Sequence, residues 1–382
     1  MYNVLKLNKI ASVGTDRLGD GYVCHDECEN PDAILVRSAA MHDMEFGSNL
    51  LAIARAGAGT NNIPKDKCTE QGIVVFNTPG ANANAVKELV LAGLLLSSRK
   101  IVEGVEWAKT LKGNGEAVGK MVEKGKSRFV GPELKGKTLG VIGLGAIGIK
   151  VANAADLLGM KVIGYDPFMS VANALKLDPT IKLMKTKEEV MTSCDYLTIH
   201  VPLTAETKDM VDAEMIAKMK DGVRILNYSR DGLVNSTAVL EALKSGKVAK
   251  YVTDFGTDDI LGEENVICMP HLGASTPESE DNCAIMACDQ IKEYLEDGNI
   301  VNSVNYPAIS LPRTEGTKRV CVMHKNIPEL LKAALNAISG NVENMLSKSR
   351  GDYAYTIFDV AGDADAEKIA AVNGVVRVRV ID

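Results

Sequence analysis

Arg230, Asp254, Asp259 and His271 each follow or end a strand-length apolar run: 225–229 precedes Arg230, 251–255 carries Asp254 and leads to Asp259, and 267–270 precedes His271. A guanidinium, a carboxylate and an imidazole are the groups that hydride transfer at a secondary alcohol requires. The cation holds a carboxylate and carbonyl, the imidazole exchanges the hydroxyl proton, and the acid tunes the imidazole. Each residue taken alone is commonplace, since a loop arginine is usually a solvated charge. Their placement after successive strands gives them weight, because ligands of open parallel sheets bind beyond the carboxyl ends of the strands.

A second signal precedes them. Gly143-Leu144-Gly145-Ala146-Ile147-Gly148 follows the apolar run 138–142 and opens a helical pattern over 146–158. The first glycine permits a tight turn, the second lets a pyrophosphate approach the backbone, and the third lets the helix pack closely on the strand. The helix start adds unpaired N–H groups and the positive end of its dipole. The next strand, 161–165, ends at Asp166, twenty-three residues beyond Gly143. A carboxylate there accepts hydrogen bonds from the adenosine ribose and repels a 2′-phosphate, so the expected cofactor is NAD rather than NADP.

The elements that must position these residues form an α/β chain. Runs at 33–36, 50–54 and 73–76 alternate with turn and helix signals, and a long helical pattern covers about 85–99. A polar, Gly- and Lys-rich stretch fills 112–137. Further strand-like runs lie at 138–144, 161–165, 196–201, 224–227, 251–255 and 266–269, again separated by helical patterns, as in a parallel sheet. The last seventy residues read as strand 319–323, helix 328–339, strands 344–349 and 354–360, helix 365–371 and strand 375–381, a split β-α-β unit after a linker at 305–312. The expected fold is two doubly wound Rossmann-like domains plus a small α+β domain. The boundaries are 1–90 with 277–304, then 91–276, then 313–382.

At 382 residues the chain is long enough for several cores, and its 46% apolar and 24% charged residues are ordinary for a folded protein. A net charge of −7 disfavours nucleic acid as a partner. The longest apolar run, 89–96, is far short of a membrane span, and no leader pattern opens the chain, so a cytoplasmic protein is expected. The eight cysteines are scattered and read as reduced thiols. Cys24-His25 with Cys28 lacks a second cluster to complete four ligands and reads as a surface turn, so no metal is expected.

The segments 225–234, Thr253-Asp254-Phe255 and 270–276 resemble the D-2-hydroxyacid dehydrogenases. The runs 36–39, 55–63, 77–82 and 129–137 narrow the resemblance to the branch that oxidises 3-phospho-D-glycerate to 3-phosphohydroxypyruvate at the head of L-serine synthesis. The resemblance covers nearly the whole chain. It implies Arg230 as the carboxylate clamp and His271 as acid/base, with the acid that pairs with the imidazole on Asp259. The family has Glu there, so Asp259 is one methylene short, and neighbouring Asp258 stays open as an alternative. It also implies that Ala58 and Gly59 cradle the substrate carboxylate, while Arg37, Ser38 and Asn82 meet its distal phosphate. Cofactor contacts are implied for Gly143, Gly145, Ala146, Ile147, Gly148, Asp166, His200, Val201, Pro202, Thr207, Asn227, Ser229, Asp254 and Gly273.

The family's Arg-Gly step is Arg230-Asp231 here. The tail resembles ACT regulatory domains, in which a small amino acid such as L-serine is held by residues matching His324, Asn326 and Asn341. Pro328-Glu329 stands where those domains have Pro-Gly, so a purely dimerising or stabilising role is an equal expectation. A homodimer or homotetramer is expected. Some relatives of this fold act instead as dinucleotide-sensing corepressors, a rival reading for which the chain offers no partner motif.

Overall fold

The computed structural model describes all 382 residues and divides into two compact units, Met1–Asn82 with Pro277–Asp382, and Ala83–Thr276. The helix Ala83–Ser98 thus lies wholly in the second unit, and the C-terminal sheet clusters with the first.

The first unit is built on five short parallel strands, β1 Tyr2–Lys6, β2 Tyr22–His25, β3 Ala33–Val36, β4 Ala52–Arg55 and β5 Val74–Phe76, in the order β2-β1-β3-β4-β5. β3 to β5 are apolar almost throughout, as expected of strands covered on both faces. The order reverses at β1/β3, the switch point at which such sheets open a crevice beyond their strand ends. β1 and β2 escape a reading based on apolar runs because Asn3, Lys6 and Tyr22 interrupt them. Cys24 and His25 lie on β2 rather than in a surface turn, and His25 Nε2 meets Asn3 Oδ1 at 3.1 Å. Cys283, Ala284, Ala287, Cys288 and Ile291 of the 21-residue helix Pro277–Asp297 are buried in the core of this sheet. All eight cysteines are unpaired.

In the second unit, β6 Thr138–Ile142, β7 Lys161–Tyr165, β8 Lys182–Leu183, β9 Tyr196–Ile199, β10 Val223–Asn227, β11 Val248–Thr253 and β12 Val266–Cys268 form one parallel sheet ordered β12-β11-β10-β9-β6-β7-β8. The order reverses between β6 and β9. Loops leaving these two strands, at Gly143 and His200, therefore flank the same crevice. The Gly- and Lys-rich stretch 112–137 proves partly helical, with Val118–Gly125 between single 3₁₀ turns, and it buries no residue in those turns. Trp107 and Phe129 pack there with centroids 5.2 Å apart, and Arg128 lies over the indole.

The C-terminal segment has the order β13 Lys318–Lys325, helix Leu330–Ala337, β14 Asn341–Arg350, β15 Tyr353–Ala361, helix Ala366–Ala370 and β16 Val375–Ile381. Its antiparallel sheet runs β14-β15-β13-β16, the split β-α-β topology. Alternation along β13 sends Val320 and Val322 into a small core with Ala334 and Ile369, and Cys321 and Met323 into the large core of the first unit. The sheet is thus covered on both faces at β13, while its edge strand β14 buries no residue.

Arg319 fastens this arrangement. It is fully buried and donates from Nε and Nη2 to Asp359 at 2.8 and 3.0 Å, from Nη1 to the carbonyls of Asp297 and Leu311, and from Nη2 to that of Pro312. All five guanidinium hydrogens have acceptors, including a carbonyl at the negative end of the long helix. Arg379 donates to Tyr294 and Leu295 carbonyls on the same helix end. Burial alone would raise the Asp359 carboxyl, but the Arg319 bonds and charge hold it below its ordinary value.

Removing one member of a buried pair strands the other, at a cost of about 3–5 kcal/mol. Arg319→Met and Asp359→Asn are each expected to lower the urea midpoint of the first unit strongly. The double variant Arg319→Met/Asp359→Leu should recover much of that loss, and additive losses in this cycle would contradict the reading.

Candidate active site

The glycine turn after β6 is sterically restricted at two of its three glycines. Gly143 has φ +89°, and a Cβ on it would lie 2.5 Å from the His200 carbonyl oxygen. A Cβ on Gly148 would come within 1.9 Å of the Gly143 carbonyl oxygen. A Cβ on Gly145 would meet nothing within 4 Å. Gly145 caps the twelve-residue helix Ala146–Leu157, so the open space lies where that helix presents unpaired N–H groups.

Asp166, at the end of β7, accepts from Leu144 N and Phe168 N, both at 2.8 Å. Each oxygen keeps a free lone-pair direction for a ribose hydroxyl. On the other flank, burial pushes His200 down to about 4, so the ring is neutral; its Nε2 meets Thr198 Oγ1 at 3.0 Å. Ser229 Oγ donates to Val201 O, and Thr207 Oγ1 donates to Pro202 O, so the loops expected along the cofactor are held by their own side chains.

The strand ends β10 to β12 carry the proposed chemistry. Asn227 Nδ2 donates to Arg230 O, fixing the loop that presents the exposed guanidinium. Asp254 is 2% exposed; its Oδ2 accepts from Gly273 N at 3.0 Å, while Oδ1 is buried without a partner. Burial raises the Asp254 carboxyl, opposed by the Gly273 N–H and by the charges of His271 and Arg230. β10, β11 and β12 are adjacent and parallel, so the loops carrying Arg230, Asp254 and His271 leave the same edge of the sheet. A partnerless carboxylate oxygen fits an amide N–H of a cofactor.

His271 takes a left-handed backbone, φ +46°, held by its N–H to Asp254 O, and its ring packs 4.9 Å from that of Phe255. A non-glycine residue in this region costs energy and is characteristic of functional positions. A cavity of about 660 Å³ is lined by His271, Asp231, Asp254, Phe255, Thr257 and Cys268, among others.

The structure does not bring Asp259 to the imidazole. Asp259 accepts from Thr257 Oγ1 at 2.5 Å, and hydrogen bonds from Ser236 and Thr257 lower its carboxyl. Asp231, which departs from the family glycine, lines the His271 cavity instead, and Phe255 supports the ring; neither was singled out as a site residue from sequence.

In the first unit, Ala58 and Gly59 follow β4, and Ala58 O accepts from Asn77 Nδ2 at 2.7 Å. Asn82 Oδ1 and Thr78 Oγ1 are buried without partners, as donors and acceptors reserved for a ligand would be. Arg37 follows β3 and pairs with Glu280 at 2.8 Å.

The C-terminal residues do not meet within one chain. His324 is buried with Nε2 on Thr356 Oγ1 and Nδ1 on Lys325 O. Asn326 sits at the β14/β15 turn, bonded to Gly351 O, and Asn341 lies at the far end of β14, nine residues or roughly 30 Å away. Glu329 adopts φ +63°, so the backbone keeps the conformation that a glycine would favour.

Residues 91–273 match the family model described as D-isomer specific 2-hydroxyacid dehydrogenase, NAD binding domain. D-3-phosphoglycerate dehydrogenase 1 of Saccharomyces cerevisiae is 31% identical over 342 residues, 83% of this chain and 70% of that protein. The Haemophilus influenzae D-3-phosphoglycerate dehydrogenase is 33% identical over 359 residues, 88% of this chain and 83% of that one. Other relatives are longer, and the chain spans half of the Synechocystis protein. The NAD+-bound 3-phosphoglycerate dehydrogenase of Entamoeba histolytica superposes with a TM-score of 0.60 at 26% identity, covering 80% of this chain and 98% of that one.

The chain belongs to the D-isomer-specific 2-hydroxyacid dehydrogenases, and NAD is its cofactor. NAD, when bound, supplies the hydride acceptor; the open space at Gly145 and the free Asp254 Oδ1 fit it.

Two glycine substitutions separate fold from binding. Gly148→Ala is expected to destabilise the second unit because the new methyl collides with backbone. Gly145→Ala should leave the melting temperature unchanged yet weaken NADH binding at least tenfold in a fluorescence titration. Equal effects of the two would contradict the assignment of the turn.

Proposed function

We propose that this protein oxidises 3-phospho-D-glycerate to 3-phosphohydroxypyruvate with NAD, the entry step of phosphorylated L-serine synthesis. The observation that carries this reading is the match of both units to relatives named for that activity, at 31–33% identity over more than four fifths of the chain. In the reading, His271 takes the C2 hydroxyl proton and Arg230 holds the substrate carboxylate and the growing carbonyl oxygen, while NAD held at the glycine turn would supply the hydride acceptor. Asp254 keeps the imidazole and guanidinium oriented through its charge and, at Oδ1, receives the cofactor's amide. Ala58 and Gly59 offer backbone N–H groups to the carboxylate, and Arg37, Ser38 and Asn82 receive the phosphate. The C-terminal sheet is an ACT-like module, and a shared effector site needs Asn341 from a second copy, since His324 and Asn326 lie at the opposite end of their own sheet.

Purified protein is expected to oxidise NADH with 3-phosphohydroxypyruvate. Arg230→Ala and His271→Ala should each lose at least a hundredfold in kcat/KM while NADH affinity stays within about threefold. Turnover that survives both substitutions would overturn the assignment. Calorimetry with millimolar L-serine should give heat only if the chain self-associates; heat from a strictly monomeric sample would contradict the shared site.

A further inference from the structure

The switch point of the first sheet, β1/β3, carries an arrangement that no motif announced. Asn8, two residues past β1, turns its amide oxygen toward the loop after β3, where it accepts from Arg37 N at 2.8 Å and from Ser38 N and Ala39 N at 3.1 Å each. Three consecutive backbone N–H groups aimed at one point form the concave donor set that ordinarily binds an anion. Three donors converging on one atom also fix it as the amide oxygen rather than the nitrogen.

The loop is pinned from its carbonyl side too. Arg55 Nε donates to Arg37 O at 2.9 Å, and Asn62 Nδ2 donates to Ala39 O at 2.8 Å. Between these clamps the Arg37 guanidinium and the exposed Ser38 hydroxyl project from a backbone with no freedom to drift. Arg37 Nη2 is engaged by Glu280 at 2.8 Å, leaving its other hydrogens for a second anion.

We infer that Asn8 is a positioning residue for the substrate's phosphate: by filling the backbone nest with a neutral oxygen, it holds Arg37 and Ser38 where a phosphate monoester can reach them. The inference rests on the proposed substrate. A neutral acceptor suits the task, because it satisfies the three N–H groups without adding charge. With Asn8 shortened, those N–H groups would turn to water, and the loop would lose the constraint that preorganises the guanidinium.

The test compares 3-phosphohydroxypyruvate with hydroxypyruvate, its unphosphorylated counterpart, as substrates for NADH oxidation by the full chain. Asn8→Ala is expected to raise KM for the phosphorylated substrate about tenfold or more, while its kcat and both constants for hydroxypyruvate stay within about twofold. Asn8→Asp, whose carboxylate can accept the same three N–H groups but adds negative charge beside the phosphate, should fold like wild type and raise KM for the phosphorylated substrate alone. If Asn8→Ala does not fold, Asn8→Ser, whose hydroxyl cannot span all three donors, carries the same expectation. An equal rise in KM for both substrates, no rise for either, or a folded Asn8→Asp that keeps the wild-type KM for the phosphorylated substrate overturns the inference. Wild-type protein that does not prefer the phosphorylated substrate overturns the substrate assignment itself, and the two failures are thereby distinct.

Discussion

The close approach of the helix Ala146–Leu157 to the end of β6 governs the second unit. With only 1.9 Å between a notional Gly148 Cβ and the Gly143 carbonyl oxygen, and 2.5 Å between a Gly143 Cβ and the His200 carbonyl, no side chain fits at either place. That exclusion brings the helix start against the crevice between β6 and β9, and it leaves the space at Gly145 open. In the proposed site, cofactor binding follows from backbone packing, and Asp166 closes the arrangement by bonding the turn and the next loop at once. The neutral His200 and the self-bonded loop at Thr207 complete the wall without adding charge beside a dianionic pyrophosphate.

The groups proposed for the chemistry inherit their positions from one strand order. β10, β11 and β12 are adjacent and parallel, so Arg230, Asp254 and His271 leave the same edge of the sheet. Asp254 lies between the other two in the strand order, buried and bonded to Gly273 N. In the first unit an analogous economy operates. Arg319 and Arg379 cap the carbonyl end of the helix Pro277–Asp297, while Glu280 near its start holds Arg37. A single rod of about 31 Å thus links the C-terminal sheet to the loop after β3.

Steric and periodic features were legible in the sequence. The glycine turn, Asp166, the strand ends bearing Arg230 and His271, and the β-α-β-β-α-β order of the tail could all be read because backbone geometry admits few residues or few periods there. The misses have physical causes. β1 and β2 carry polar residues at half-buried positions, which break up their apolar runs. The Lys- and Gly-rich stretch around Val118–Gly125 is helical although it buries nothing. The direction of Asp259 depends on hydroxyls at Thr257 and Ser236, which spacing along the chain does not encode. Asn8 is a single asparagine after a strand, and only the arrival of three N–H groups from another loop gives it meaning. Asn341 matched by type but lies at the wrong end of its sheet for a site within one chain.

The central claim is that a hydride passes directly between the nicotinamide and C2 of a D-2-hydroxy acid beside His271. Stereospecifically deuterated NADH, incubated with the protein and 3-phosphohydroxypyruvate, tests it by NMR of the product. The account predicts one deuterium at C2, retained from the cofactor, in product of D configuration. Deuterium appearing in solvent, or an L product, would contradict it.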